Sequence, residues 1–249
     1  MTKTANKPDK ARQGVKPAPM RRGRPPKGNA AEGRDKLLTA AMTLFGEQAP
    51  DSVSTRQLAT AAGVNLSAIT YHFGGKDQLY EAVIRKAIDD MAPRRQAVIS
   101  FLDSALNEAD GDREKLAASI RAFVQAFCEV LVQDDFPFTT FQLLLRQLHN
   151  PTSAFELVIK HHINPVHDAI TRLTAVALGC DEDDPEARLL GMSVTSQVLM
   201  LGVLRPVVLA RMGWTSYSAE NAETVIKTTT TSILRLLGLP EDDYKKRED

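Results

Sequence analysis

Between Val53 and Leu79 the chain reads VSTRQLATAAGVNLSAITYHFGGKDQL, and few arrangements satisfy it. Ser54 and Gln57 form an S-x-x-Q capping box, which ties up the first free amides of a short helix predicted over Thr55 to Ala62. Leu58, Ala59 and Ala62 fall on one side of that helix, and Gly63 stands where a left-handed residue stops it. Asn65 then caps a second helix after a tight turn, the connection of a helix-turn-helix. On this second helix Leu66, Ile69 and Phe73 recur at spacings of three and four and are expected to pack. Ser67, Thr70 and Tyr71 share another face at the same spacing. One face for packing and one offering hydroxyls suit a helix laid in a DNA major groove. Gly74-Gly75 ends it, and Lys76-Asp77 opens the next helix.

The A-x-x-A-G-V of residues 59–64, Tyr71-His72-Phe73, and the G-x-K-x-x-L of residues 74–79 keep one register without a gap. Over roughly residues 35–88 this resembles the DNA-binding domain of TetR-type transcription regulators. The resemblance implies a sequence-specific transcription regulator, usually a repressor. It would sit as a homodimer on a palindromic double-stranded operator until an unidentified small-molecule effector releases it. The C-terminal half resembles the CerR or CecR type of C-terminal domain. That likeness rests on Arg146-Gln147-Leu148, Asn150-Pro151-Thr152, Asn164-Pro165-Val166-His167, Arg172-Leu173 and Arg211-Met212-Gly213-Trp214-Thr215.

The expected fold class is all-α: an N-terminal three-helix DNA-binding domain and a helical domain for ligand binding and dimerisation. The first helix, predicted from about Arg34 to Gln48, places Leu37, Leu38, Ala41, Leu44 and Phe45 on one face. A fourth, from about Asp77, buries Leu79, Val83, Ala87 and Met91, with Pro93 disturbing it; the resemblance makes it the link from head to body. Further helices are predicted over 112–132 and 136–149, from Asn150-Pro151 toward Leu178 with a kink at Pro165, over 185–211, and from Ser218 to Gly238. The boundaries that follow are 1–33 for a basic arm without fixed structure, 34–90 for the head, 91–240 for the body and 241–249 for a charged tail.

A formal net charge of zero conceals an asymmetry: residues 1–27 hold nine Lys and Arg against Asp9 alone, a net +8, and the remainder carries −8. A basic arm on an acidic body marks nucleic-acid binding. Within the arm, Arg21-Arg22-Gly23-Arg24-Pro25-Pro26-Lys27 resembles an AT-hook core, in which Arg22 and Arg24 would enter a narrow minor groove. A plain phosphate-binding tether remains the other reading, and an A/T-preferring architectural protein without small-molecule control is the alternative for the whole chain. Ser67, Thr70 and Tyr71 are the candidates for base edges or adjacent phosphates. Thr55, Arg56, His72 and Lys76 are the candidates for the backbone.

Two cysteines, Cys128 and Cys180, are too few for a disulfide framework, and the start of the chain lacks the apolar core of a signal peptide, which points to the cytoplasm. The apolar run from Leu189 to Ala210 carries Ser193, Thr195, Ser196, Gln197, Arg205 and Pro206, so a buried helix is expected rather than a membrane span. His149, His161, His162 and His167 lack acidic or cysteine partners at ligand spacing, so no metal or other cofactor is expected. No G-x-S-x-G, P-loop, G-x-G-x-x-G or H-E-x-x-H occurs, and an enzyme is not expected. Phe123, Phe127, Phe141, Arg146 and Gln197 are candidates to line an effector cavity, their plainer reading being core. Gly191, Thr195, Val198 and Gly202, with Ala222, Val225, Thr229, Ser232 and Leu236, form two stripes expected to pair with their copies as a four-helix bundle.

Deleting residues 1–27 removes a net +8. Non-specific DNA affinity at low salt should then fall steeply while selectivity for a palindrome survives. Salt titrations of both forms check this, and an unchanged salt slope would remove the arm from DNA binding.

Overall fold

The computed structural model describes residues 1–2, 27–132 and 137–241, with the side chains of 27–30 and 129–132 outside that description. Arg22, Arg24 and the tail from 242 onward also lie outside it. Among the described residues every regular element is helical. Helix α1 (Lys27–Glu47), α2 (Thr55–Ala62) and α3 (Ser67–Phe73) form the head, and α4 (Lys76–Ala109) leaves it as one continuous rod. The body adds α5 (Arg113–Val132), α6 (Phe138–His149), α7 (Phe155–Val158), α8 (Asn164–Leu178), α9 (Pro185–Val203), α10 (Arg205–Met212) and α11 (Ala219–Leu236).

The local chemistry of the head follows the sequence closely. Ser54 Oγ accepts from Gln57 N at 3.2 Å while Gln57 Oε1 accepts from Ser54 N at 2.7 Å, so both halves of the capping box close. Gly63 stops α2 at φ 63°, a conformation that costs glycine nothing. Asn65 Oδ1 accepts from Ser67 N at 3.2 Å, which caps α3 from two residues ahead. Leu66 is a correction: it stands exposed at the start of α3, while Ile69 alone is fully buried on that helix.

Two boundaries also move. Helix α1 begins at Lys27 rather than near residue 34, taking in a stretch expected to belong to the arm. Ala30, Ala31 and Glu32 are good helix formers, and a Glu32–Lys36 ion pair one turn apart, at 2.6 Å, supports the extension against the poor formers Gly28, Asn29 and Gly33. Helix α4 runs across the expected head–body boundary at 90/91 and through Pro93. Beside the proline Arg95 Nη1 donates to Ile88 O at 3.2 Å.

Two apolar cores are strung along α4. The first joins Leu37, Phe45, Leu58, Ile69, Leu79, Val83 and Ile84 of the head to Leu143, Leu144 and Val158 of α6 and α7. The second gathers Leu102, Leu116, Ile120, Val124, Ile170, Leu173, Val194, Val198, Ile233 and Leu234 from α4, α5, α8, α9 and α11. The head therefore shares its core with part of the body, which makes their relative position a matter of packing rather than of a linker.

Prolines reshape the body. The helix expected to open at Asn150-Pro151 begins at Phe155 instead and passes through a π-helical turn, Ile159–Ile163. In that turn Asn164 N bonds Ile159 O five residues back, and Pro165 next to it has no amide to offer, so the turn widens where a kink was expected. The run expected as one helix from Pro185 to Arg211 breaks at Leu204, and α10 leaves α9 at 75°. Pro206 cannot donate to the carbonyl four residues back, and a helix without that bond turns readily. No single helix among the described residues is long and apolar enough to cross a membrane.

The stripe expected to face a second copy is turned inward. Gly191, Val198 and Gly202 are buried and Thr195 is half-buried, because Gly191 lets α9 lie close on α8, where an added Cβ would meet Thr171 Oγ1 at 3.3 Å. On α11 the stripe splits: Thr229 is buried and Val225 packs on the second core, while Ser232 and Leu236 are exposed and Ala222 is half-buried.

Within the π-helical turn His162 Nδ1 lies 3.3 Å from Arg95 Nη1. Burial, helped by the Arg95 charge, brings its pKa from 6.5 down to about 4, so the folded protein holds it neutral. The unfolded chain takes up a proton near pH 6.5 that the folded chain refuses until about pH 4. The stability from a neutral His162 is thus complete above pH 6.5 and lost as pH falls toward 4. Urea melts across that window should show a shallower loss for His162→Gln than for the unsubstituted protein; parallel curves would contradict the assignment.

Candidate DNA interface and its link to the body

Helix α3 is held by its buried side, Ile69, and by the half-buried Phe73, over whose ring the Arg34 guanidinium sits at 5.2 Å. What it leaves to solvent is Asn65, Leu66, Ser67, Thr70 and Tyr71. Tyr71 is 66% exposed and Leu66 48%, large side chains turned to solvent. Ser67 Oγ donates to Asn65 Oδ1 at 3.2 Å, a local bond that a base edge or phosphate can replace. This face carries hydroxyls and one aliphatic side chain able to meet a thymine methyl, the mixture that reads a major groove.

Thr55 and Arg56 are exposed at the start of α2, and Lys76 is half-buried at the start of α4, flanking α3 in sequence on either side. His72 is half-buried: its ring meets Tyr71 edge-on at 4.8 Å, and a Cβ on Gly33 would lie 3.4 Å from its Nε2. It thus braces α1 against α3. Leu66 was missed because a three-four stripe counts apolar residues without telling which end of a short helix reaches the core.

The candidate effector residues do not line one cavity, which corrects that expectation. Phe141 lies in the head-side core, whereas Phe123 and Phe127 belong with the body core, and Gln197 is half-buried on α9. Phe123 stacks on Phe101 with centroids 6.3 Å apart and meets Phe127 at 5.8 Å. The Phe101 ring borders a shallow groove between α4 and α5, lined also by Ser104, Ala105, Glu108, Ala118, Ser119 and Ala122. Among the described residues no three His, Cys, Asp or Glu side chains come together as a metal site.

Arg146 does something else. Its Nη1 donates to Phe45 O and, at 2.6 Å, to Gln48 O, and its Nη2 donates to Gly46 O at 3.0 Å. These are carbonyls at the C-terminal end of α1, where a helix has acceptors to spare and welcomes a cation. Gly46 makes the approach possible, since a Cβ there would run into the Thr139 methyl. Next to it Gln147, fully buried, donates to Tyr80 Oη at 2.7 Å. Thr152 fixes the amide the right way round by donating to Gln147 Oε1 from Oγ1 at 2.7 Å and from N at 3.2 Å. Tyr80 in turn stands edge-on to Phe45 at 5.0 Å, and burial raises its pKa against the pull of Arg146. Residues 146–152 thus clamp the head onto α6.

A helix-turn-helix with an exposed polar recognition face, clamped to an all-helical body, defines a DNA-binding transcription regulator of the TetR family, and the chain belongs to that family. Residues 37–83 match the bacterial regulatory proteins of the tetR family, and residues 116–238 match the C-terminal domain of the HTH-type transcriptional dual regulator CecR. The chain is 30% identical to the dual regulator CecR of Shigella flexneri over 84% of its own length and 94% of that protein's. It is 29% identical to the transcriptional repressor KstR2 of Mycolicibacterium smegmatis over 42% of its length and 50% of that one. A TetR-family transcriptional regulator from Mesorhizobium loti shares the fold with a TM-score of 0.54 at 12% identity, covering 84% of this chain and 96% of that one. A fatty acid metabolism regulator of Clostridium perfringens does so at 0.51 and 18% identity, covering 80% and 97%. The family's members are transcription regulators, not enzymes.

Replacing Arg146 by Ala strips three carbonyls of their donor, and a hydrogen bond to a charged group contributes a net of about 1.5–3 kcal/mol, not additive over one guanidinium. Arg146→Lys should recover little, because an ammonium cannot span three acceptors as the guanidinium does. Both variants should melt lower and bind operator less tightly, which calorimetry and anisotropy check. A lysine variant equal to the original would reduce the clamp to simple charge.

Proposed function

We propose that the chain is a cytoplasmic homodimer that places two copies of α3 in successive major grooves of a palindromic operator. It acts there as a repressor until a small molecule bound in the body releases it. The observation that carries this reading is the clamp of Arg146 and Gln147. A head that shares its core and its helix-end hydrogen bonds with α6 must follow any shift of α6, and that shift alters the distance between two recognition helices. One α3 spans too few base pairs for selectivity, so the operator should offer half-sites about 34 Å apart, one DNA turn. The repressor KstR2 among its relatives supports repression as the sign, with which the dual regulator CecR is compatible. Ser67, Thr70 and Tyr71 together with Leu66 read bases in this proposal, and Thr55, Arg56, His72 and Lys76 hold the backbone.

The architectural alternative rests on the segment holding Arg22 and Arg24, and the exposed face of α3 argues against it as the main mode, since shape-driven binding needs no such face. Footprinting on DNA upstream of the chain's own gene separates the two. Two short protected half-sites with dyad symmetry are expected, and a matching reporter should be silenced. Broad A/T-rich protection without symmetry would replace the operator reading with the architectural one.

A further inference from the structure

Helix α4 and the stretch from α7 to α8 cross from one core to the other at the same level. On α4 the head-side core ends with Met91 and the body core begins with Val98. On the facing stretch Val158 and Ile163 belong to the first core, Val166 and Ala169 to the second. Each gap holds a backbone irregularity, Pro93 in one and the π-helical turn Ile159–Ile163 in the other, and the turn packs on α4. One polar contact spans them. Arg95 Nη1 lies 3.2 Å from Ile88 O and 3.3 Å from His162 Nδ1, with Arg95 and His162 both half-buried. A guanidinium has donors only, so Nδ1 of His162 accepts and the ring carries its proton on Nε2. A second proton would set donor against donor and charge against charge. The contact thus exists in one protonation state of the histidine.

We propose that Arg95 and His162 form a proton-sensitive latch between the two cores, whose opening tilts the head away from the angle at which it reads DNA. The proposal rests on the operator reading and adds the proton as its regulator. Both elements bend most readily at the level the latch spans, and the first core ties α6 and α7 to the head, so a tilt there reaches α3. Burial, helped by Arg95, holds His162 near 4 in place of 6.5. The latch is therefore complete above pH 6.5 and is lost as pH falls toward 4. Arg95 is the charge that acts on the ring. Asp89 on α4 acts on Arg95 instead, Asp90 is paired with Lys86, and Asp168 on α8 acts on His167. Arg94, Glu156, Lys160 and His161 on the same elements are exposed.

The full chain, unsubstituted and as His162→Gln, tests this at pH 7 and pH 5. Glutamine keeps an acceptor for Arg95 but takes up no proton. Operator affinity of the unsubstituted protein, read by anisotropy, should fall by up to about twentyfold, the limit for a group titrating near 4 when latched and 6.5 when open. His162→Gln should escape that loss, while His72 and His167 titrate alike in both proteins. Without DNA, amide exchange across residues 89–97, corrected for its intrinsic pH dependence, should quicken at pH 5 in the unsubstituted protein alone. Arg95→Met removes the facing charge and should raise the His162 titration seen by NMR; a titration that stays in place would overturn the latch. Equal pH dependence of affinity in the unsubstituted protein and His162→Gln would overturn it too, and leave the operator reading standing. A chain that selects no palindrome at pH 7 would overturn the operator reading, and with exchange unchanged at pH 5 the latch as well.

Discussion

The end of α1 is the point on which the molecule's arrangement depends. A helix leaves its last carbonyls without intrahelical donors, and those at Phe45, Gly46 and Gln48 lie where the head meets the body. Arg146 supplies the donors from α6, and a forked, planar guanidinium does this for several acceptors at once. The contact has no slack. Gly46 has no side chain because Thr139 occupies the space, and Gln147 is locked by Thr152 before it reaches Tyr80. A reading head fixed in this way differs from one tethered by a flexible linker: it can be aimed.

Aim matters because α4 threads two cores. Its first half is packed among head residues and α6, its second half among α5 and α8. Tightly packed interiors do not deform gradually, so movement of the lower core relative to the upper one is passed on rather than absorbed. Pro93 and the π-helical turn at Ile159–Ile163 lie between the two cores, joined by Arg95 and His162. A proline without an amide to donate and a widened turn are the irregularities at which a helix bends most readily.

Much of this was legible in the sequence where local chemistry decides. The capping box, Gly63, the buried Leu58, Ala59 and Ala62, and the cap at Ser218 are dictated within a few residues, and the structure has them as read. What was missed depends on partners distant in the chain. Arg146 beside several leucines looked like a polar group waiting for a ligand; the acceptors it serves are about a hundred positions away, and no periodicity reveals them. The glycine stripe on α9 looked like a seam between subunits because small residues mark close approach. They do not tell whether the close neighbour is α8 or a copy. Leu66 failed for the same reason in miniature, since helical spacing gives a face but not how far that face extends over the core. The resemblance motifs of the C-terminal half fare better as physics than as markers. Gln147 and Thr152 form the clamp, and Gly213-Trp214 turn the corner after α10, with Trp214 N bonding Leu209 O at 2.9 Å. Arg146, Gln147 and Thr152 therefore serve position.

Electrostatics then separates what holds the DNA from what reads it. Residues 28–90 carry six Lys and Arg against eight acids, so the head has no general attraction for a polyanion. Its cations have to act by placement: Arg34 is committed to the Phe73 ring, Lys36 pairs with Glu32 at 2.6 Å, and Arg85 and Lys86 pair with Glu81 and Asp90 at 2.7 Å, which leaves Arg56 and Lys76 as the ones beside α3 in sequence. In the proposed reading two or so phosphate contacts per head would provide modest affinity with a shallow salt dependence. The arm's net +8 would then supply what the head lacks, without base preference if it acts on phosphate alone. Such a division has a consequence for selectivity. In the proposed dimer, affinity drawn from the arm would be shared by all DNA, so discrimination would come from α3 and from the spacing of two heads, which the clamp and the subunit contact would set together. Residues away from α3, Arg146 above all, would thereby take part in choosing which DNA is bound.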